Sequence, residues 1–352
     1  MPAPTAAGND LSGDHPVFDL APHARSGAIE ALDRGETHYA DVPGLSALRE
    51  EIARALAAWG VNVDAAGGVI ITAGEQEARF LAVQMLARAG YHMLLPAVVH
   101  PGVRKAAALG GVSATHVPVD PSALMPDVES VRRAMAAGQT ALYLESPNRL
   151  TGKVMHRRLV EAIAEEALRS NGIIVWDATL VPWIPDGVDY TLIGALPRMH
   201  EHAVTIGSLW PGAGLEGWLA AYMTGPATLL SDAQNLKQIL AICTTTPAQW
   251  GAMGALKAGD AGHRERVMLL LNHKTNAVRE YPSGALHGEA ASVLAVRFPR
   301  SVDLSRLPAR PMRGDAFGAP DILRFTVTPT GEVVGAMRSL AALHPDRPGT
   351  RP

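Results

Sequence analysis

Short apolar runs alternate with amphipathic stretches between residues 65 and 230 of this chain. The amphipathic stretches repeat apolar residues at helical spacing, and the apolar runs are nearly continuous, which is typical of strands buried on both faces of a parallel sheet. The predicted strands are GVIIT (68–72), HMLLP (92–96), SATHVPV (113–119), TALYLESP (140–147), GIIVWDA (172–178), AVTIGS (203–208) and WLAAYMTG (218–225). This alternation predicts an α/β fold with a mostly parallel, doubly wound sheet.

The pattern changes after residue 230, where long helical stretches lead into a C-terminal α+β portion. Both ends of the chain are rich in Pro and Gly, which favours frayed tails. We therefore predict a flexible tail over 1–14, a large α/β domain over 15–255, a small α+β domain over 256–345 and a second tail over 346–352.

Composition excludes several classes of function. The chain has 352 residues, of which 47% are hydrophobic, and a net charge of −3, so a general basic field for nucleic acid or membrane surfaces is excluded. A single cysteine, Cys243, excludes an internal disulfide framework. No secretory signal or membrane-length apolar run is present, which predicts a soluble, cytoplasmic protein. The histidines of MHEH (199–202) lack supporting ligands, so no metal site is expected.

Several motifs follow one another in an order that is informative as a set. They are RGETHYADVPGLSALREEIA (34–53), ITAGEQEARF (71–80), SPNRLTG (146–152), IIVWDATL (173–180), GSLWPGAGLEGWLAAY (207–222), RGDAFG (313–318) and ILRFTV (322–327). In order and spacing they resemble the class I/II aminotransferases, the fold-type I enzymes that use pyridoxal phosphate (PLP). The resemblance implies a fold-type I architecture over nearly the whole chain.

The same resemblance indicates where the PLP chemistry is altered. The family's Schiff-base lysine falls at Pro211, its phosphate-binding arginine at Leu219 and its second loop serine at Trp210, while no lysine lies between Lys153 and Lys237. These substitutions predict that no cofactor is bound. The positions of the vestigial PLP site are Gly74, Gln76, Asp177, Ser208, Pro211 and Leu219.

Ionisable residues nevertheless remain at the strand ends, where ligands bind in open parallel sheets. Candidate catalytic residues are Glu75, His100 and Asp177, and candidate substrate-binding residues are Tyr39, Arg149, Trp210 and Arg324. By resemblance, Arg324 is a carboxylate clamp and Tyr39 projects across a dimer interface. Structural roles stay open: a cap for Asp177, an ion pair for Arg324, a half-buried His100 and a Glu145–Arg149 pair.

Three functional hypotheses follow. The first is a PLP-independent enzyme or binder of an amino-acid-like or carboxylate-bearing small molecule, in biosynthesis or specialised metabolism. In it, Arg324 anchors the carboxylate and His100 or Asp177 moves protons. The second is a catalytically silent paralogue that serves as a partner subunit or scaffold. The third holds PLP or pyridoxamine phosphate (PMP) without a covalent bond. A homodimer is expected, without nucleic-acid or membrane partners.

Overall fold

The computed structural model describes residues 9–209, 212–259, 262–299 and 303–343. Its α-helices are α1 Pro22–Asp33, α2 Ser46–Ala57, α3 Gly74–Arg88, α4 Pro101–Leu109, α5 Val128–Met135, α6 Arg157–Ser170, α7 Ala227–Leu240, α8 Thr246–Lys257, α9 His263–Glu280 and α10 Glu332–Leu343. Its β-strands are β1 Asn9–Leu11, β2 Val69–Ala73, β3 His92–Pro96, β4 Ala114–Val117, β5 Thr140–Glu145, β6 Ile173–Asp177, β7 Ala203–Ser208, β8 Ala220–Thr224, β9 Ala285–Leu286, β10 Val293–Arg297, β11 Ala309–Arg313 and β12 Ile322–Thr326.

A seven-stranded sheet forms the large domain, in the order β2-β8-β7-β6-β5-β3-β4. Strand β8 runs antiparallel to its two neighbours, and the neighbouring pairs from β7 through β4 are parallel. Every residue of β5 and of β6 is buried, because apolar cores lie against both faces of the sheet. The predicted α/β, doubly wound fold is confirmed, and its polar strand ends gather at one edge.

A second sheet of five strands forms the small domain, in the order β1-β11-β12-β10-β9. Helices α9 and α10 pack together, and residues of both join the strands in one apolar cluster. Strand β1 comes from the N-terminus and pairs in parallel with β11, with Leu11 buried in that cluster. Residues 9–11, which the sequence analysis assigns to a flexible tail, thus belong to the small-domain sheet.

The chain then crosses from the small domain to the large one through residues 12–21, which we call the strap. Phe18 stacks on Trp183 at 6.0 Å between ring centroids, and the Ala21 amide donates to the Ala213 carbonyl. Gly214 has a φ of +72°, and a Cβ there would lie 2.7 Å from the backbone of Leu20, so this crossing requires glycine. The strap therefore lies against the edge where the large-domain strands end.

The sequence contains no apolar run of membrane length, and the helices agree with this. Among the residues that the structure describes, no helix is long and apolar enough to cross a membrane.

Candidate functional site

Strand ends of the large domain bring four predicted site residues together. Asp177 ends β6 and is paired in register with Glu145 at the end of β5. Glu75 stands in the first turn of α3, directly after β2, and His100 caps α4 after β3. Arg149 follows β5 in the loop before α6 and is buried. The sequence predicted that these strand ends meet. The chemical role of each residue stays a prediction.

Asp177 is held by four hydrogen bonds. Its Oδ2 accepts from Arg79 Nε at 2.8 Å and from the Tyr143 hydroxyl, and its Oδ1 accepts from the Thr179 amide at 3.1 Å and the Thr179 hydroxyl. Burial opposes ionisation, but the charges of Arg79 and Arg149 hold the pKa of Asp177 well below its usual range. Asp177 is therefore an ionised carboxylate that four donors hold in one orientation.

Glu75 extends the same network toward the neighbouring loop. Its carboxylate accepts from Arg149 Nη2 and lies 3.3 Å from both Arg79 Nη2 and His15 Nε2. Burial works against its charge, yet Arg149, His15 and Arg79 lower the pKa of Glu75 to about 2. We call Glu75, Arg79, Tyr143 and Asp177 the inner cluster. It is a buried, charged and closely hydrogen-bonded assembly.

Glu145 lies beside this cluster but has the opposite electrostatic character. Its Oε1 accepts from the His100 amide at 2.6 Å and its Oε2 from the Arg149 amide at 3.1 Å. Burial and the nearby charge of Asp177 raise the pKa of Glu145 to about 7, although both backbone bonds act in the other direction. The open alternative of a Glu145–Arg149 side-chain pair is not what forms, because the guanidinium of Arg149 bonds Glu75 instead.

His100 caps α4 with its own ring, because Nδ1 accepts from the Gly102 amide at 3.1 Å. That bond places the ring proton of the neutral imidazole on Nε2, which lies 3.6 Å from Asp14 Oδ2. Burial and the charge of Arg79 lower the pKa of His100 to about 4. His100 is therefore neutral at pH 7 and presents an N–H toward the strap.

Arg324, on β12 of the small domain, reaches the same place from the other side. Its Nη1 donates to the Gly13 carbonyl at 2.8 Å, its Nη2 to the Asp14 carbonyl at 3.2 Å, and its Nε to the Arg149 carbonyl at 2.9 Å. Burial and the charge of Arg149 lower the pKa of Arg324 to about 10, against the opposing effect of Asp14. We call Asp14, His100 and Arg324 the outer cluster, with Arg149 between the two clusters.

The other predicted site residues that the structure describes lie outside the two clusters. Gln76 donates to the Gly102 carbonyl at 3.0 Å, and Ser208 ends β7 beside a cavity of about 470 Å³. Leu219 has a left-handed backbone, with a φ of 51°, and its side chain lies against Gly74. Tyr39 is 81% exposed. Trp210 and Pro211 lie outside the described residues.

Sequence reasoning missed Asp14, His15, Arg79 and Tyr143. Arg79 carried a usable signal, because it lies four residues after Glu75 and so on the same face of a helix. Tyr143 lies two residues before Glu145 in β5, and the sequence gave no such signal for it. Asp14 is the last residue of the segment predicted to be a tail and His15 follows it, and only the tertiary structure brings them to the clusters.

Comparison with known proteins decides the family. The family described as aminotransferase class I and II matches residues 7–281, which is most of the chain. The chain belongs to the class I and II aminotransferase family.

Individual relatives agree with this assignment. The chain is 28% identical over 294 residues to a probable aspartate/prephenate aminotransferase of Thermus aquaticus, covering 79% of this chain and 75% of that protein. It is 26% identical to an aspartate aminotransferase of Pyrococcus abyssi, of whose length the match spans only 63%. The N-succinyldiaminopimelate aminotransferase structure from Mycobacterium tuberculosis superposes with a TM-score of 0.86 at 24% identity, covering 96% of this chain and 93% of that one.

Family membership corrects one prediction from the sequence. The prediction that no cofactor is bound is wrong, because the matched family and its relatives are aminotransferases, a class for which PLP binding is expected. The error came from weighing the substitutions at Pro211, Leu219 and Trp210 above the family as a whole. Two of these three residues lie outside the described part of the chain.

The described residues fit parts of PLP. Asp177 is a buried, permanently ionised carboxylate, as a pyridinium nitrogen requires. The first turn of α3, at Gly74 to Gln76, presents backbone N–H groups of the kind that bind phosphate, and Ser208 adds a hydroxyl beside a cavity. The described part of the 207–222 segment contains no lysine to bond the aldehyde. The described residues therefore fit the ring nitrogen and the phosphate of PLP.

Proposed function

We propose that this aminotransferase-family protein holds PLP or PMP without a covalent bond and binds a small carboxylate-bearing molecule of the amino-acid or keto-acid class beside it. The observation that carries the proposal is the pair of buried arginines beside Asp14: Arg324 Nη1 lies 3.7 Å from the Asp14 carboxylate, and Arg149 Nη1 bonds the Asp14 carbonyl and helps to lower the pKa of the side chain. A ligand carboxylate would find the same cations there.

The outer cluster suits a carboxylate for electrostatic reasons. The guanidinium of Arg324 and the N–H of a neutral His100 lie beside the Asp14 carboxylate, Arg149 bonds the Asp14 carbonyl next to them, and both arginines are almost fully buried. A hydrogen bond to a charged group contributes about 1.5–3 kcal/mol, and bidentate arginine–carboxylate pairs also fix orientation. We therefore assign Arg149 and Arg324 to the ligand carboxylate and His100 to a neutral donor beside it.

The residues of the large domain would hold the cofactor. Asp177 would bind the ring nitrogen, and Ser208 and the start of α3 the phosphate; when bound, PLP supplies an electron sink for chemistry at the carbon beside an amine. Arg79 positions Asp177 and also donates to Glu75. Arg79 can therefore share Asp177 with the ring nitrogen while it keeps Glu75 as a second anionic partner. Glu145, with a pKa of about 7, is the carboxyl group here that can exchange a proton near neutral pH.

A homodimer stays a proposal, and the exposed apolar residues of the chain support it. Tyr39, Ala241 and Cys243 line one hollow, and Ile239, Leu240 and Ile242 beside it in sequence are all exposed. Such a patch is typical of a protein–protein interface. Light scattering of the wild type and of Ile239→Glu tests this point: a dimer that becomes a monomer supports the interface, and a wild-type monomer contradicts it.

The carboxylate site is tested by calorimetric titration of the full chain with succinate and with 2-oxoglutarate. Arg324→Gln should abolish detectable binding. Arg310→Gln is the matched control, because Arg310 lies in the same sheet but pairs with Asp10 on the surface. Equal binding by Arg324→Gln and the wild type would overturn the assignment.

The cofactor is tested by equilibrium dialysis with PLP, followed by borohydride reduction and mass spectrometry. One PLP per chain should bind, reduction should leave the mass unchanged, and Asp177→Ala should lower the affinity at least tenfold. Asp321→Asn, at an exposed carboxylate paired with Arg297 in the small domain, is the control. Absence of binding, or a pyridoxyl group fixed to a lysine, would contradict non-covalent retention.

A further inference from the structure

Asp14 occupies the position that the proposed function gives to a ligand. Its Oδ1 lies 3.7 Å from Arg324 Nη1, its Oδ2 lies 3.6 Å from His100 Nε2, and its carbonyl accepts from Arg149 Nη1 at 3.3 Å. Burial opposes its charge, but His100, Arg149 and Arg324 hold the pKa of Asp14 well below the usual range. The strap thus places a carboxylate of the chain itself among the cations of the outer cluster.

The fit of Asp14 to these cations is loose. Both side-chain distances exceed the range of a good hydrogen bond, and Asp14 Oδ1 is buried without a hydrogen bond in the described structure. The buried Nε of Arg149 likewise makes no hydrogen bond there. Because burying an unmatched polar atom is costly, a carboxylate free to move closer would satisfy these groups better than Asp14 does.

The attachments of the strap permit such an exchange. The Asp14 side chain is 41% exposed, so one side of the carboxylate faces solvent. Residues 12–21 form no strand or helix before α1, and the strand that precedes them, β1, has three residues at the edge of its sheet. Movement of residues 13–15 breaks the bonds that the Gly13 and Asp14 carbonyls accept from Arg324, Arg149 and Thr326, and a ligand carboxylate takes over the two arginines. Asn9–Leu11 meanwhile stay paired with β11, and Phe18 stays on Trp183.

We propose that Asp14 is an internal competitor for the carboxylate site, and that a ligand carboxylate binds by replacing Asp14 between Arg324, Arg149 and His100. This inference rests on the proposed function of the same site. It makes the strap a self-inhibitory contact, closed by Asp14 in the free protein and opened by a short carboxylate ligand.

The test is calorimetric titration with succinate of the full-length wild type, Asp14→Asn and Asp14→Glu. If the free protein is closed at least nine-tenths of the time, Asp14→Asn should raise the affinity by at least about tenfold, because the apparent affinity scales with the open fraction. Asp14→Glu keeps the competing charge and should stay closer to the wild type. Asp10→Asn removes the same charge from the same segment, at a surface pair with Arg310, and should leave the affinity unchanged.

Hydrogen exchange separates displacement from a simple change of charge. Saturating succinate should increase exchange in a peptide over residues 12–20 of the wild type, and Asp14→Asn should show the faster exchange without ligand. Suppose that the wild type binds succinate, that Arg324→Gln abolishes this binding, and that Asp14→Asn binds with the same affinity as the wild type. That result would overturn the strap inference alone. Absence of succinate binding in both the wild type and Asp14→Asn would overturn the proposed function as well.

Discussion

The inner and outer clusters contain the same kinds of residue but differ in how completely those residues are paired. In the inner cluster, Asp177 accepts four hydrogen bonds and Arg79 bridges two carboxylates. In the outer cluster, Asp14 lies 3.6 Å from the N–H of the neutral His100 and 3.7 Å from Arg324, and it is partly open to solvent. Fully paired buried charges fix a structure, whereas loosely paired charges at an opening can exchange partners. We infer that the first cluster is a rigid scaffold, from which Asp177 would hold the cofactor, and that the second binds the exchangeable carboxylate.

The largest effect is expected from breaking the inner cluster at Arg79. Arg79→Met leaves Asp177 and Glu75 buried with fewer cations, and removing one partner of a buried pair costs about 3–5 kcal/mol. Urea denaturation measures this loss in the free energy of unfolding. Arg132→Met, at an exposed pair with Glu129, should cost at most about 1 kcal/mol. Equal losses in the two variants would contradict the assignment of the inner cluster as scaffold.

Glu145 gives the next largest effect, as a dependence of stability on pH. Its pKa is raised to about 7 in the folded chain, so between about pH 4.5 and 7 the folded state binds more protons than the unfolded state. The stability from this group is therefore present at low pH and is lost as the pH rises to 7. The loss is about 3 kcal/mol, at 1.36 kcal/mol per pKa unit.

Glu145→Gln should remove that dependence, because the amide does not ionise. The measurement is the free energy of unfolding from pH 5 to 8, compared between the wild type and the variant. Glu75 and Asp177 have lowered pKa values, so their contribution is present above about pH 4 and is lost only in more acidic solution. His100, whose pKa is lowered to about 4, gives a dependence of opposite sign below about pH 6.5 in both proteins, so the quantity compared is the difference in the free energy of unfolding between wild type and variant. A difference that stays constant from pH 5 to 7 would contradict the raised pKa of Glu145.

How much of this arrangement the sequence could predict differs between the two clusters. The inner edge was predictable, because the apolar runs before Asp177 and Glu145 specify parallel strands whose ends meet. The predicted strand HMLLP coincides with β3. The outer cluster was not predictable, because Asp14 reaches Arg324 only through the pairing of β1 with β11, and these two strands are some 300 residues apart in the chain. Local periodicity carries no signal for such a contact.

The smallest effect is expected from the outer cluster, at Asp14. The low pKa of Asp14 alone would indicate strong stabilisation, but its side chain is 41% exposed, so solvent screens much of that interaction. Asp14→Asn should therefore lower the free energy of unfolding by about 1 kcal/mol or less, compared with about 3–5 kcal/mol for Arg79→Met. Urea denaturation of both variants in one buffer makes the comparison direct. A loss at Asp14 as large as that at Arg79 would mean that the strap is fixed as firmly as the scaffold, and a ligand carboxylate could then not replace it.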